Sequence, residues 1–145
     1  MKKFSFNLEN ILEIRKGEQS QAEAELGKVN GEISRLNGEL AEIAQKKANL
    51  FKNYNATDDF IFHSNSQNYK YLLDRRSEEI MQQIATLQIE ADEKREILRE
   101  AMKKVKSLEI LKDRQFKQWK KEYQKEEEVV QEEAVQSKIV LDNQN

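Results

Sequence analysis

The sequence has no cysteine, no proline, a single histidine and only four glycines in 145 residues. Without cysteine there is no thiolate nucleophile and no zinc-cysteine site, and no disulfide spacing from which to read a redox compartment. The lone His63 excludes a histidine-based metal cluster; it lies among turn-favouring residues and reads as a solvated turn residue. Gly17, Gly27, Gly31 and Gly38 do not form a phosphate loop, since none lies between a strand and a helix and no Gly-Lys-Ser/Thr follows. No apolar run approaches the ~20 residues that cross a bilayer. The opening Met1-Lys2-Lys3-Phe4-Ser5-Phe6 has two lysines but no apolar stretch after them, so no signal peptide is expected. Neither sign of charge prevails: 25 Lys and Arg against 27 Asp and Glu leave −2, which gives no general attraction to nucleic acid. The expectation is a cytoplasmic protein that is not an enzyme, holds no cofactor or metal, binds no nucleic acid and inserts directly into no membrane.

What is present is charge and regular aliphatic spacing. Charged residues make up 36% of the chain and the mean hydropathy is −0.93, too polar to close around a central core. Yet Leu, Ile and Val recur too regularly for disorder. The lack of proline leaves nothing to forbid long helices. Steps of four and three pick out Leu8, Leu12, Arg15, Gln19, Ala22, Leu26, Val29, Ile33, Leu36, Leu40, Ile43, Lys47, Leu50 and Tyr54, of which only Arg15, Gln19 and Lys47 are polar. A 3.5-residue repeat kept this long specifies a left-handed coiled-coil seam, because a straight helix would drift off the stripe. A seam of this kind needs a partner helix.

The repeat stops at Asn53-Tyr54-Asn55-Ala56-Thr57-Asp58-Asp59, residues that compete with helical hydrogen bonds. A second polar cluster, His63 to Asn68, follows an apolar Phe60-Ile61-Phe62 that would plug the tip of a hairpin, and Ser64 or Ser66 would cap the next helix. A second seam then reads Tyr69, Leu73, Arg76, Ile80, Ile84, Leu87, Ala91, Lys94, Leu98, Ala101, Val105 and Leu108. It loosens through Leu111, Phe116, Trp119 and Tyr123. With a reversal near residue 62 the two seams match in opposite directions, pairing residues whose numbers sum to about 124. Arg15 then falls beside Glu109 and Lys47 near Glu78. The fold class is therefore all-α: a single antiparallel coiled-coil hairpin, with helix 1 at about 4–54, a turn at about 55–66 and helix 2 at about 67–140. The second helix is longer. Its last twenty or so residues, rich in Glu126-Glu127-Glu128 and Glu132-Glu133, overhang the first, and an unpaired helix of that length should fray when free.

Three features stand apart from the seams. Opposite the first seam, Gly17, Ser20, Ala24, Gly27, Gly31, Ser34, Gly38 and Ala41 form a stripe of small residues. A helical glycine costs up to ~1 kcal/mol relative to alanine. The stripe is either a groove for close approach of a partner backbone or a place where the helix is simply pliable. At the open end, Phe116, Trp119 and Tyr123 lie among Lys112, Arg114, Lys117, Lys120 and Lys121. Phe116 can close the hairpin against Phe4, Phe6 and Leu8, whereas Trp119 and Tyr123 have less to cover them and could anchor a protein partner. Near the turn, Leu72, Arg76, Glu79 and Gln83 form a short stripe that is either a wide part of the core or a docking face.

The opening Phe4-Ser5-Phe6-Asn7-Leu8, followed by Leu12 and the basic Arg15, resembles the amino-terminal pattern of the flagellar export protein family FliJ. Leu108-Glu109-Ile110-Leu111-Lys112-Asp113-Arg114 is similar to that family's Leu-Glu-x-Leu-Lys-acidic-basic stretch, and an acidic block follows in both. Where family members often carry Asp-Glu after that block, this chain has Glu132-Glu133. The resemblance spans nearly the whole chain. It implies a component of the flagellar type III export apparatus, peripheral at the cytoplasmic face of the basal body and serving motility, with a hairpin similar to the two-helix stalk of rotary ATPases. The implied partners are the hexameric export ATPase, whose ring it would enter as a central stalk, the export gate membrane protein through its cytoplasmic domain, and export chaperones. Arg15, Lys112, Arg114, Lys117, Trp119, Lys121 and Tyr123 would meet the ring, and the turn end would face the gate. The alternatives are the stalk protein of a virulence type III secretion system and a generic coiled-coil scaffold or chaperone.

Overall fold

The structure is a computed structural model and describes residues 2–144. Two helices account for it: α1, Glu9–Tyr54, and α2, Phe60–Gln144. They pack against one another as an antiparallel hairpin, and the second is much the longer. Contacts gather into two units, one of Ser20–Glu100 and one of Met1–Gln19 with Ala101–Asn145.

In the Ser20–Glu100 unit the heptad spacing becomes burial. Ala22, Val29, Leu36 and Ile43, seven residues apart, are all buried, while the alternate seam positions Leu26, Ile33, Leu40 and Lys47 are half-buried. Leu36 and Ile43 meet Leu73, Ile80 and Ile84 of α2, and Ile33, Leu40 and Leu87 pack on that cluster. The helices are amphipathic over one narrow stripe only, so nearly everything off the stripe faces water.

The reversal is tighter than the polar cluster after Phe62 suggests. Only residues 55–59 lie between the helices. Asp59 caps α2: its Oδ1 accepts from the amides of Ile61 at 2.9 Å and Phe62 at 3.5 Å, satisfying donors that have no partner within the helix. Neither Ser64 nor Ser66 is the cap; both lie inside α2, and Ser66 is buried. His63 is likewise not a solvated turn residue. Its ring stacks on Tyr54 with centroids 3.8 Å apart, and its Nε2–H donates to the carbonyls of Tyr54 and Thr57 at 3.0 and 2.7 Å. The Tyr54 oxygen is left without a helical donor by the end of α1, and the Thr57 oxygen lies in the turn.

This earlier reversal shifts the register. In the Ser20–Glu100 unit, Lys47 pairs across the helices with Asp74, Glu39 with Arg76, and Glu25 with Lys94 at 3.3 Å. Lys47 therefore meets Asp74, one turn from the expected Glu78. Near the turn the buried positions of α2 are Ser66, Leu73, Ser77 and Ile80, so Tyr69 and Arg76 give up the expected seam places to serines, which allow closer approach of the two helices.

In the other unit, Phe6, Leu12 and Val105 form the core, with Phe4, Leu8, Leu108 and Leu111 packed on it. Helix α1 begins at Glu9 rather than near residue 4. The preceding segment turns back so that Phe4 meets Phe116 edge-on at 5.3 Å and Trp119 at 5.9 Å. Burying these rings outweighs one further helical turn, in which Phe4 and Phe6 would point to opposite sides of the helix. Arg15 pairs with Glu18 on its own helix at 3.1 Å and not with Glu109.

Candidate interaction surfaces

Among the described residues no group of His, Cys, Asp and Glu could hold a metal ion, and no helix is long and apolar enough to cross a membrane. Four helix surfaces stand out.

At the open end, Trp119 packs on the chain's own aromatic rings. Its indole N–H donates to the Lys2 carbonyl at 3.0 Å, and its ring lies between Phe4, Phe116 and Tyr123, with centroids 5.9, 5.8 and 5.4 Å away. Lys112 pairs with Glu9 at 2.8 Å and Lys117 with Asp113 at 3.0 Å. Arg114 and Lys121 are exposed and make no ion pair among the described residues. The structure thus divides the cationic group: Arg15, Lys112 and Lys117 form ion pairs within the chain, and Arg114 and Lys121 form none among the described residues.

From Lys120 to Asn143 every residue is exposed, and the segment stays helical. The apolar residues Val129, Val130, Val135, Ile139, Val140 and Leu141 are each 51–62% exposed, interleaved with the glutamates. Tyr123 is tied to this acidic run: hydrogen bonding to Glu127, with the negative charge there, holds its phenol above the usual tyrosine range.

The small-residue stripe of α1 faces outward in full. All eight members are exposed, and a Cβ built on any of the four glycines would meet nothing within 4 Å. Nothing inside the chain therefore requires glycine there.

On the near-turn face, Arg76, Glu79 and Gln83 line one shallow groove of about 660 Å³ with Glu32, Arg35, Leu36 and Leu87. Leu72 is 60% exposed and does not line it. Arg76 is bound to Glu39 and lies 3.6 Å from Glu79, so three of the four expected residues share one groove and Leu72 lies outside it. The turn itself holds a feature that the sequence pattern hid. Phe60 and Ile61, expected to plug the hairpin, are 82% and 69% exposed. Phe62 alone turns inward, half-buried. Residues at the first positions of a helix that follows a tight turn have no packed partner opposite them, and that was the available signal.

A two-helix antiparallel hairpin with exposed helix faces and a long exposed extension of the second helix defines a coiled-coil protein. The family profile described as Flagellar FliJ protein matches residues 4–138, nearly the whole chain. The chain belongs to the FliJ family and is a component of the flagellar protein-export apparatus. No curated protein and no solved structure is significantly similar to it.

Proposed function

We propose that the chain is a central stalk of the export ATPase ring and couples that ring to the export gate and its chaperones. The observation that carries this reading is the end of α2. Its residues 120–143 run on as helix with every side chain exposed, and the exposed, unpaired cations Arg114 and Lys121 stand at its base. A single helix of this length is marginal in water by itself and gains stability inside a cavity that contacts it all round. Exposed charges suit an axle, since ion pairs at a wet surface are weak and exchange readily as the surrounding ring changes state. Membership of a flagellar family favours the flagellar system over its virulence counterpart.

The test is the turnover of the hexameric export ATPase with the wild-type chain and with an Arg114→Glu, Lys121→Glu variant. Stimulation by the wild type and its loss in the variant support the assignment. Equal stimulation by both would reject this end of the molecule as the ring contact. Trp119→Ala is the poorer probe, because it also releases the packing of Lys2 and Phe4.

A further inference from the structure

Helix α2 reverses the sign of its charge between Lys121 and Glu122. From Lys103 to Lys121 it carries eight Lys and Arg against two acids, and from Glu122 to Asp142 seven Asp and Glu against two lysines. The boundary falls just past Trp119, which the amino-terminal segment holds. The basic stretch is therefore backed by the rest of its unit, while the acidic stretch is bare on every side.

The face of α2 turned away from the buried Ala101 and Val105 crosses this boundary unbroken. From Lys103, alternate steps of four and three lead through twelve positions to Asp142, and all twelve are exposed. That spacing reads the same from either end, so the stripe can lie against a second copy of itself in the opposite direction. With the two-fold axis next to the charge boundary, Lys103 falls opposite Asp142, Lys117 opposite Glu128 and Ile110 opposite Val135. A two-fold contact makes each of these pairs twice. Along the stripe no two like charges meet.

We infer that two copies of this chain pair through this face, the acidic extension of each lying along the basic stretch of the other. The complement to the extension is thus carried by the chain itself, in charge and in spacing. Two extensions laid side by side in parallel would instead set Glu126 to Glu128 against the same block, which repels. A bare helix of this length is marginal in water, and the pairing gives it a neighbour over its whole length. Lys117 already has Asp113 one turn away at 3.0 Å, but an exposed pair of that kind exchanges readily. Ile110 and Val135, 45% and 57% exposed, are the aliphatic part of the contact and charge is the rest. The dimer is accordingly weak, reversible and sensitive to salt. The pairing does not rest on the ring reading. Where that reading holds, pairing covers Arg114 and Lys121, and entry into the ring requires the two copies to part.

Sedimentation equilibrium of the full chain tests the inference. At low salt the mass should rise from one chain to two with concentration, and about 0.5 M salt should return it to one. Lys117→Glu alone, or Glu128→Lys alone, sets like charges opposite one another twice and should raise the Kd of the dimer at least about tenfold. Lys117→Glu with Glu128→Lys restores opposite charges in this register and should bring the Kd back to within about threefold of wild type. Circular dichroism should find all three variants as helical as the wild type, since both positions are exposed. A wild-type chain that stays monomeric at every concentration would overturn the inference and leave the extension to a foreign partner. A dimer that ignores the single reversals, or that the double variant does not restore, would overturn it as well and move the contact to another face or register. Stimulation of an ATPase is measured separately and decides none of these outcomes.

Discussion

Arg76 grips Glu39 across the two helices with two hydrogen bonds, Nε to Oε1 at 2.9 Å and Nη2 to Oε2 at 3.2 Å. The paired geometry fixes both distance and direction, and hydrogen bonding to Arg76 is the main reason that the Glu39 carboxyl lies below its ordinary value. Asp74, bonded by Lys47, is lowered likewise, as is Glu25, bonded by Gln21 and Lys94. A carboxylate whose folded pKa is depressed contributes stability above its unfolded value, and that contribution is lost as pH falls through the folded one. The hairpin should therefore melt at lower temperature as pH drops below about 4.3. In Arg76→Gln the dependence should be shallower over the same range. An unchanged slope, followed by circular dichroism, would show that the pair adds nothing.

His63 donates to the last carbonyl of α1 and to Thr57 in the turn, so its removal leaves two acceptors with only water. His63→Ala should cost about 1 kcal/mol, read as a lower urea midpoint with an unchanged slope. His63→Phe keeps the stacking on Tyr54 without the donor, and it should fall between alanine and wild type.

Burial and exposure on α1 predict opposite signs for similar-sized changes. Leu36 is 1% exposed within the main cluster, and Leu36→Ala should cost about 2–5 kcal/mol. Gly27 and Gly31 meet nothing, so Gly27→Ala and Gly31→Ala should each raise stability by about 0.5–1 kcal/mol. Thermal unfolding of the three variants decides this. Destabilisation by either alanine would show a contact in solution that the hairpin lacks.

Trp119 is the single tryptophan, and its fluorescence reports on the amino-terminal segment. Phe4→Ala removes a ring 5.9 Å from the indole and opens it to water. The emission should shift to the red while the helicity stays unchanged. No shift would mean that residues 2–8 leave α2 free in solution.

The seam was legible because a 3.5-residue repeat has one structural solution, and Ala22, Val29, Leu36 and Ile43 are buried as that repeat requires. The reversal was not. The His63–Asn68 cluster reads as loop by local preference, but Asp59 had already supplied the cap, and small Ser66 and Ser77 serve as buried seam residues. Moving the reversal earlier also gave Lys47 to Asp74 in place of Glu78 and turned Phe60 and Ile61 outward. Among the surface residues, ring stacking packed Trp119 on the fold, local ion pairs engaged Arg15 and Lys117, and a cross-helix pair with Glu9 engaged Lys112. Which of several like-charged lysines finds an acid depends on side-chain geometry that no periodicity encodes.

Most depends on residues 9–54 folding back along α2 within one polypeptide in the observed register. The chain has no cysteine of its own, so Glu39→Cys with Arg76→Cys provides two unique thiols at positions whose side chains now touch. A short bis-maleimide should link them within single molecules, at monomer mass. Glu39→Cys with Ala85→Cys, the pair expected from a reversal at residue 62, should not link. Linking only between separate molecules, or linking of the second pair in preference to the first, would contradict the hairpin as described.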